Sequence, residues 1–321
     1  MVVAKRRSVL TTLMAAAVPR VAFSQPNWPQ RPIRVIVPYT AGGIADTVMR
    51  ILQPALTERL GQPVVIENRT GASGAIAAQL VASSPADGYT LLFEGPSFAT
   101  LPAVRRDMPF DYERAFMPVA QATTMPYVVG VRAGFPAQDV AGLIAEARRR
   151  PGEITYGTTG MATLGHFMGE NLQLSTGVKL EMIAFRGGAD VARELLGGRI
   201  DIGLLSYSSL LPAVERGVRV IASTAGRPME TAPGLPLIAD VVPGFDMTSW
   251  IGFFAPTGTS ADVVGRISEA TRQALSDPEI RRRLFAAGSE PVESGPEDFA
   301  ALVQRERETA RRIVAATGLQ I

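Results

Sequence analysis

One stretch breaks the order of this chain. FMPVAQATTMPYVVGVRAG, Phe116–Gly134, is a long extended apolar segment with no helix in it, interrupted by Pro126. On either side of it, strand-like and helix-like runs alternate. IRVIVPY (Ile33–Tyr39) is β-branched and almost continuously apolar, as a strand buried on both faces must be. A helical pattern interrupted at Pro54, the strand PVVIENR, a small-residue helix Ser73–Ser84 and the strand in DGYTLLFEG follow. After the break a second series starts, with strands in ITYG, LEMIAF, IDIGLLS and VRVIAST separated by helical patterns. SWIGFFAPTG (Ser249–Gly258) is a second crossover strand, and two long helices near Ala261–Leu275 and Pro296–Thr317 close the chain. Between them DPEIRRRLFAAG carries Asp277 as N-cap, Pro278 at the first helical position and Gly288 as its stop. Alternation of this kind implies parallel sheets with right-handed crossovers. Two such series joined by two extended segments imply an α/β clamshell. Lobe 1 is expected over 25–124 and 250–321, with lobe 2, 125–249, inserted into it. Ligands of such sheets bind beyond the carboxyl ends of the strands, which places the site in the cleft.

Composition removes most chemistry. The 321 residues are 46% hydrophobic and 19% charged, enough for an ample core. There is no cysteine and a single histidine, His166, so disulfides, thiolate catalysis and Cys- or His-rich metal sites are excluded. No G-x-S-x-G elbow occurs. Residues 1–24 read as a secretory signal peptide. Lys5, Arg6 and Arg7 precede a short apolar stretch, Val9–Val18, and Ala22-Phe23-Ser24 has the small residues a signal peptidase cuts behind. KRRSVL also has a twin-arginine look. The apolar stretch is too short to span a bilayer, which needs about 20 residues. Without these residues the chain carries 28 basic and 30 acidic side chains, a net charge of −2. The runs at Arg148–Arg150 and Arg281–Arg283 lie on predicted helix surfaces, and no basic patch with interleaved aromatics suits nucleic acid.

Four strand-to-helix loops then stand out: TAGGIAD (Thr40–Asp46), NRTGASG (Asn68–Gly74), YGTTGMATLGH (Tyr156–His166) and FRGGAD (Phe185–Asp190). Glycines allow tight turns and close backbone approach. The helix starts behind them offer free N–H groups and partial positive charge. The spacing of a P-loop or of the dinucleotide fingerprint is absent. Loops of this form in both lobes are two facing cups of backbone donors, suited to a small anion, most simply a carboxylate. Asp46 reads as a first-turn residue that supports its helix, and a lone His at the place of His166 as a packed or capping residue.

In order and spacing these stretches resemble the solute receptors of tripartite tricarboxylate transporters, the Bug-type periplasmic binding proteins. WPQRPIRVIVPYTAGGIAD, LGQPVVIENRTGASGAIAAQLVASSPADGYTLL, GTTGMATLGH, FRGGADVARELLGGRIDIG, GLPLIADVVPGF, SWIGFFAPTGTSADVVGRI and the ending ATGLQI carry the resemblance across the chain beyond its leader. It implies the type II periplasmic-binding-protein fold, with hinge closure over the ligand. It implies a carboxylate held by backbone amides and water from both lobes. Carried over residue by residue, the site would comprise Tyr39, Ala41, Gly42, Gly43, Asp46 and Ser97 from lobe 1. Lobe 2 would give Thr158, Thr159, Thr163, His166 and Arg186, the last where lysine is usual. Two further departures are the missing proline before the glycines of TAGG and Glu94 at the end of strand three. Glu94 is expected to be a surface or capping residue; pointed into the cleft, it would instead repel a second carboxylate and suit an ammonium.

The resemblance implies a monomeric periplasmic receptor, not an enzyme, without cofactor or metal. It would capture a dicarboxylate, an amino acid or an aromatic acid and deliver it to membrane permease subunits. The alternatives are a receptor read by a signalling partner and a periplasmic α/β enzyme acting on a carboxylic acid.

Overall fold

A computed structural model of the chain describes residues 28–320 apart from 106 and 109. The expected signal peptide, 1–24, lies outside the described residues. Among the described residues eleven strands form two sheets: β1 Ile33–Val37, β2 Val64–Asn68, β3 Thr90–Glu94, β4 Phe116–Met125, β5 Tyr127–Val131, β6 Thr155–Thr158, β7 Glu181–Ala184, β8 Ile202–Ser206, β9 Arg219–Ser223, β10 Ser249–Pro256 and β11 Glu290–Pro291. The first sheet has the order β11-β4-β10-β3-β1-β2 and the second β7-β6-β8-β5-β9. The segment around Pro126 is therefore two strands. β4 pairs in the first sheet, β5 in the second, and the proline between them marks the passage.

Neither sheet is purely parallel. β1 pairs in parallel with β2 and β3, and β6 with β7 and β8. The crossover strands run the other way: β10 is antiparallel to β3 and β4, and β5 is antiparallel to β8 and β9. A chain that enters or leaves a lobe without a crossover helix arrives reversed, and this is the source of the mixture.

The helix Ile44–Leu60 runs through Pro54 without a break. A proline inside a helix costs about 3 kcal/mol. Here Pro54 is on the exposed face, while Val48, Met49, Leu52, Leu56 and Leu60 are buried on both sides of it, so burial of the stripe outweighs the lost bond. A helix over Ser97–Val104, hidden in sequence by Pro96 and Pro102, follows β3 directly. All eight residues of β10 are buried, and Trp250 lies edge-on to Phe299 with ring centres 5.3 Å apart.

In the first sheet the chain leaves β1 for β2 on one side and then returns to β3 on the other. In the second it leaves β6 for β7 and returns to β8. Each sheet thus has a point where successive loops part in opposite directions and leave a crevice at the strands' carboxyl ends.

Candidate functional site

The loops at those two points face each other across a cleft of about 330 Å³. The loop after β1 brings Tyr39, Thr40, Gly43, Ile44 and Ala45, and the loop after β3 brings Gly95, Pro96 and Ser97. The loop after β6 brings Thr159, Met161, Ala162, Thr163 and Leu164. The two crossovers supply the walls between them, with Met125 and Tyr127 from one and Ser249, Trp250 and Ile251 from the other. Ser73 closes one end. None of these lining side chains is charged.

Thr40–Asp46 and Gly160–His166 have the same construction. Gly42 and Ala162 both have positive φ, +80° and +56°. Gly43 and Thr163 follow as N-caps with nearly equal angles, φ −70° and ψ 166° against φ −81° and ψ 167°. Gly43 has no side chain to bond the first helical turn, and that of Thr163 does not do so. The amides of that turn are thus left to solvent or to a ligand, at the positive end of the helix dipole. Ile44 and Leu164 open the two helices. Four residues beyond the positive-φ position a side chain reaches back. Asp46 Oδ2 accepts from the Gly42 N–H at 2.8 Å, and His166 Nδ1 accepts from the Ala162 N–H at 3.0 Å.

These clasps locate two of the expected site residues behind the cleft wall. Asp46 is 1% exposed and also accepts from Arg50 Nε and Asn68 Nδ2. Burial pushes its carboxyl up, but the hydrogen bonds from Arg50, Gly42 and Asn68 together hold it below the usual aspartate range. His166 is 4% exposed, and with Nδ1 accepting, its proton is on Nε2, 3.7 Å from Glu170 Oε1. Thr158 is buried under the same loop, its hydroxyl 3.1 Å from that of Thr163. Thr163 spends its own proton on the Gly160 carbonyl, so Thr158 is the donor of that pair.

Of the residues expected from sequence, Tyr39, Gly43, Ser97, Thr159 and Thr163 line the cleft together. Ala41, Gly42, Asp46, Thr158, His166 and Arg186 lie outside its lining. Arg186 is exposed and follows β7, the edge strand of its sheet, which carries FRGGAD away from the crevice between β6 and β8. The wall residues Met125, Tyr127, Trp250 and Ile251 are not among those expected from sequence. The signal for them was present, since an extended segment passing between two lobes must run along the floor of the cleft they form.

Glu94 departs from its expected place at the surface. It is 0% exposed, with Oε1 accepting from the Ser97 hydroxyl at 2.9 Å and Oε2 buried without a partner. Burial pushes its pKa up to about 8, against the lowering effect of the Ser97 bond. The Ser97 hydroxyl in turn lies 2.9 Å from that of Tyr39.

A larger groove of about 590 Å³ lies on the other side of Trp250. Arg227 and Arg305 line it together with Asp246, Asp298 and Glu306, so a free carboxylate would meet repulsion there as well as attraction. The smaller, uncharged cleft suits an anion better, because backbone donors attract it with no competing carboxylate on the walls.

The family model for the tripartite tricarboxylate transporter family receptor matches residues 48–319. A UPF0065 protein of Bordetella bronchiseptica is 31% identical over 310 residues, 96% of this chain and 91% of that one. Among solved structures, R. palustris Rpa4515 with adipate is 33% identical with a TM-score of 0.78, over 91% of this chain and 99% of the other. MatC (Rpa3494) from Rhodopseudomonas palustris with bound malate is 28% identical with a TM-score of 0.74, over 89% and 100%.

Proposed function

The chain belongs to the tripartite tricarboxylate transporter receptor family, and from that membership we propose that it is a periplasmic receptor which captures a small carboxylate in the cleft and hands it to membrane permease subunits. The observation that carries this reading is the pair of matched helix starts, Gly43–Ala45 and Thr163–Leu164, set on opposite walls of an uncharged cleft. Backbone donors from both lobes can share one carboxylate, so a ligand that bridges them draws the lobes together about the β4–β5 and β10 crossovers. In this reading the jaws are residues 25–124 with 250–321, and residues 125–249. The carboxylate meets Gly43, Ile44 and Ala45 from one side and Thr159, Thr163 and Leu164 from the other. Adipate and malate in the related structures support a carboxylate as the ligand class.

Binding without turnover is the second part of the proposal. The cleft lining contains no histidine, carboxylate, lysine or arginine, and burial pushes the pKa values of its two phenols, Tyr39 and Tyr127, upward, so neither serves as a base at a bound carboxylate. A thermal-shift screen over mono- and dicarboxylic acids tests both parts. A ligand at a hundred times its dissociation constant should stabilise the protein by about 2.7 kcal/mol. The same acid should be recovered unchanged after incubation with excess protein. No shift with any acid, or conversion of the bound one, would overturn the reading.

A further inference from the structure

The cleft has a donor side and an acceptor side, and a buried residue sets the second. Ser97 donates its only hydroxyl proton to Glu94 Oε1. The Ser97 oxygen can then only accept from Tyr39, so the Tyr39 proton is directed at Ser97 as well. Both hydroxyls line the cleft, and both have their protons turned away from it. Toward a ligand they present lone pairs. The first-turn amides of the two helices present the opposite, N–H groups at a positive dipole end. A carboxylate fits one side of the cleft and a hydrogen-bond donor the other.

Glu94 adds charge to this polarity. Its Oε2 is buried and unpartnered, and Gly74 leaves the space in which the carboxyl sits, since a β-carbon there would fall 2.5 Å from Oε1. The titratable groups that couple to it are Tyr39, from the loop after β1, and Tyr112, whose hydroxyl is likewise buried without a partner. No arginine, lysine or histidine acts on the Glu94 carboxyl among the described residues. Once ionised, a buried carboxylate with no cation in the protein is compensated only by one that arrives in the cleft.

We propose that Glu94, acting through Ser97 and Tyr39, is a positioning residue that selects a ligand bearing an ammonium group as well as a carboxylate, and disfavours a second carboxylate. This rests on the carboxylate-receptor reading of the same cleft. Burial raises the Glu94 pKa to about 8 in the empty protein, so near neutral pH the carboxyl is largely protonated, with Oε1 kept as the acceptor of the Ser97 hydroxyl and the proton on the unpartnered Oε2. An ammonium beside Ser97 favours the ionised form, so binding releases a proton and tightens as pH rises through about 8. A second carboxylate at the same place favours the protonated form, and its binding weakens over that range.

Four probes of matched length separate the cases: adipate, ω-aminohexanoate, ω-hydroxyhexanoate and hexanoate, each titrated by calorimetry in two buffers of different ionisation enthalpy. A shorter pair, succinate and γ-aminobutanoate, repeats the comparison. The expected result is at least tenfold tighter binding of the amino acid than of the diacid at one or both lengths, with proton release. Glu94→Gln keeps an oxygen for Ser97 and should abolish both the preference and the proton release. Equal or tighter binding of the diacid, a preference for the hydroxy acid over the amino acid, or binding of the amino acid with no net proton would overturn the proposal. Each of these outcomes leaves the receptor reading standing. Binding of none of the acids would overturn that reading and this inference with it. The wild-type titrations decide the matter even if Glu94→Gln does not fold.

Discussion

In Thr40–Asp46 the side chain that reaches back to the loop is an aspartate; in Gly160–His166 it is a histidine. Both bond the amide four residues earlier, that of a residue with positive φ, and both lie behind the wall of the cleft. The backbone path is nearly the same, and the chemistry that stabilises it is not. Lobe 1 uses glycine at the left-handed position and a charged clasp tied to Arg50 and Asn68. Lobe 2 uses alanine there and a neutral imidazole. A cup of backbone donors is thus a geometry that different side chains can hold, so long as one of them satisfies the amide turned inward. Aspartate and histidine here hold the loop by bonding its inward-turned amide.

The largest test of this likeness is at the second helical position, Ala45 in one loop and Gly165 in the other. A β-carbon on Gly165 would lie 2.5 Å from the Leu204 carbonyl oxygen. Backbone cannot give way as a side chain can, so Gly165→Ala should cost about 3 kcal/mol or more. Ala45→Gly should cost less, about 1–2 kcal/mol, the propensity difference and one buried methyl. Urea denaturation of the two variants checks this; similar losses would mean that the Leu204 carbonyl does not confine the second helical position of lobe 2.

Next come the clasps themselves. Asp46→Ala leaves the Gly42 amide, Arg50 and Asn68 without their acceptor and should destabilise by about 3 kcal/mol, whereas His166→Asn, which disturbs one neutral bond, should cost about 1 kcal/mol. Their pH dependence differs in a way that sharpens the contrast. The Asp46 pKa is lowered on folding, so its contribution is complete above the ordinary aspartate pKa of about 4 and is lost as pH falls through the lower folded value. The stability gap between wild type and Asp46→Asn should therefore be flat at neutral pH and narrow below about pH 4. Denaturation curves across that range would show it, and a gap that stayed constant into acid would remove the charge from the account.

The smallest effect is expected at the left-handed position. A non-glycine residue there costs roughly 1–2 kcal/mol. Ala162→Gly should consequently be neutral to stabilising by about 1 kcal/mol, and Gly42→Ala destabilising by about the same, with open space around its β-carbon. A loss of stability in Ala162→Gly would show that the methyl group, 8% exposed, packs well enough to outweigh the backbone strain.

The alternation of strands and helices, the two crossover segments and the Gly-rich loops were all legible in the sequence, because each is a local matter. Hydrophobic period, β-branching, caps and breakers act within a few residues of themselves. The helix Ala261–Leu275 and the Asp277 cap were placed to the residue for this reason, since Asp277 accepts from the amides of Glu279 and Ile280 just as its position before Pro278 suggested. The helix Ser97–Val104 escaped because two prolines stand where breakers would, and the packing of its Phe98 against Tyr112, Phe116 and Phe254 is a tertiary matter. Strand direction was beyond local reading too, since β10 runs antiparallel for a reason that lies in where the chain comes from.

What the tertiary structure alone decided is where side chains stand relative to the cleft. Thr40–Asp46 was recognisable as a strand-to-helix loop, but nothing in it says that Gly43 lines the cleft while Asp46 turns behind the wall. That choice is made by Asn68, twenty-two residues on, which donates to both Asp46 and the Tyr39 carbonyl. Glu94 is the sharper case. A glutamate after a strand is ordinarily solvated, and this one is buried because Gly74, Ser97 and Tyr39 converge on it from three separate loops. Sequence determines which residues can form a strand, a cap or a turn. Whether a carboxyl is in water or in the dark is set by atoms brought together from far along the chain, and desolvation depends on all of them at once.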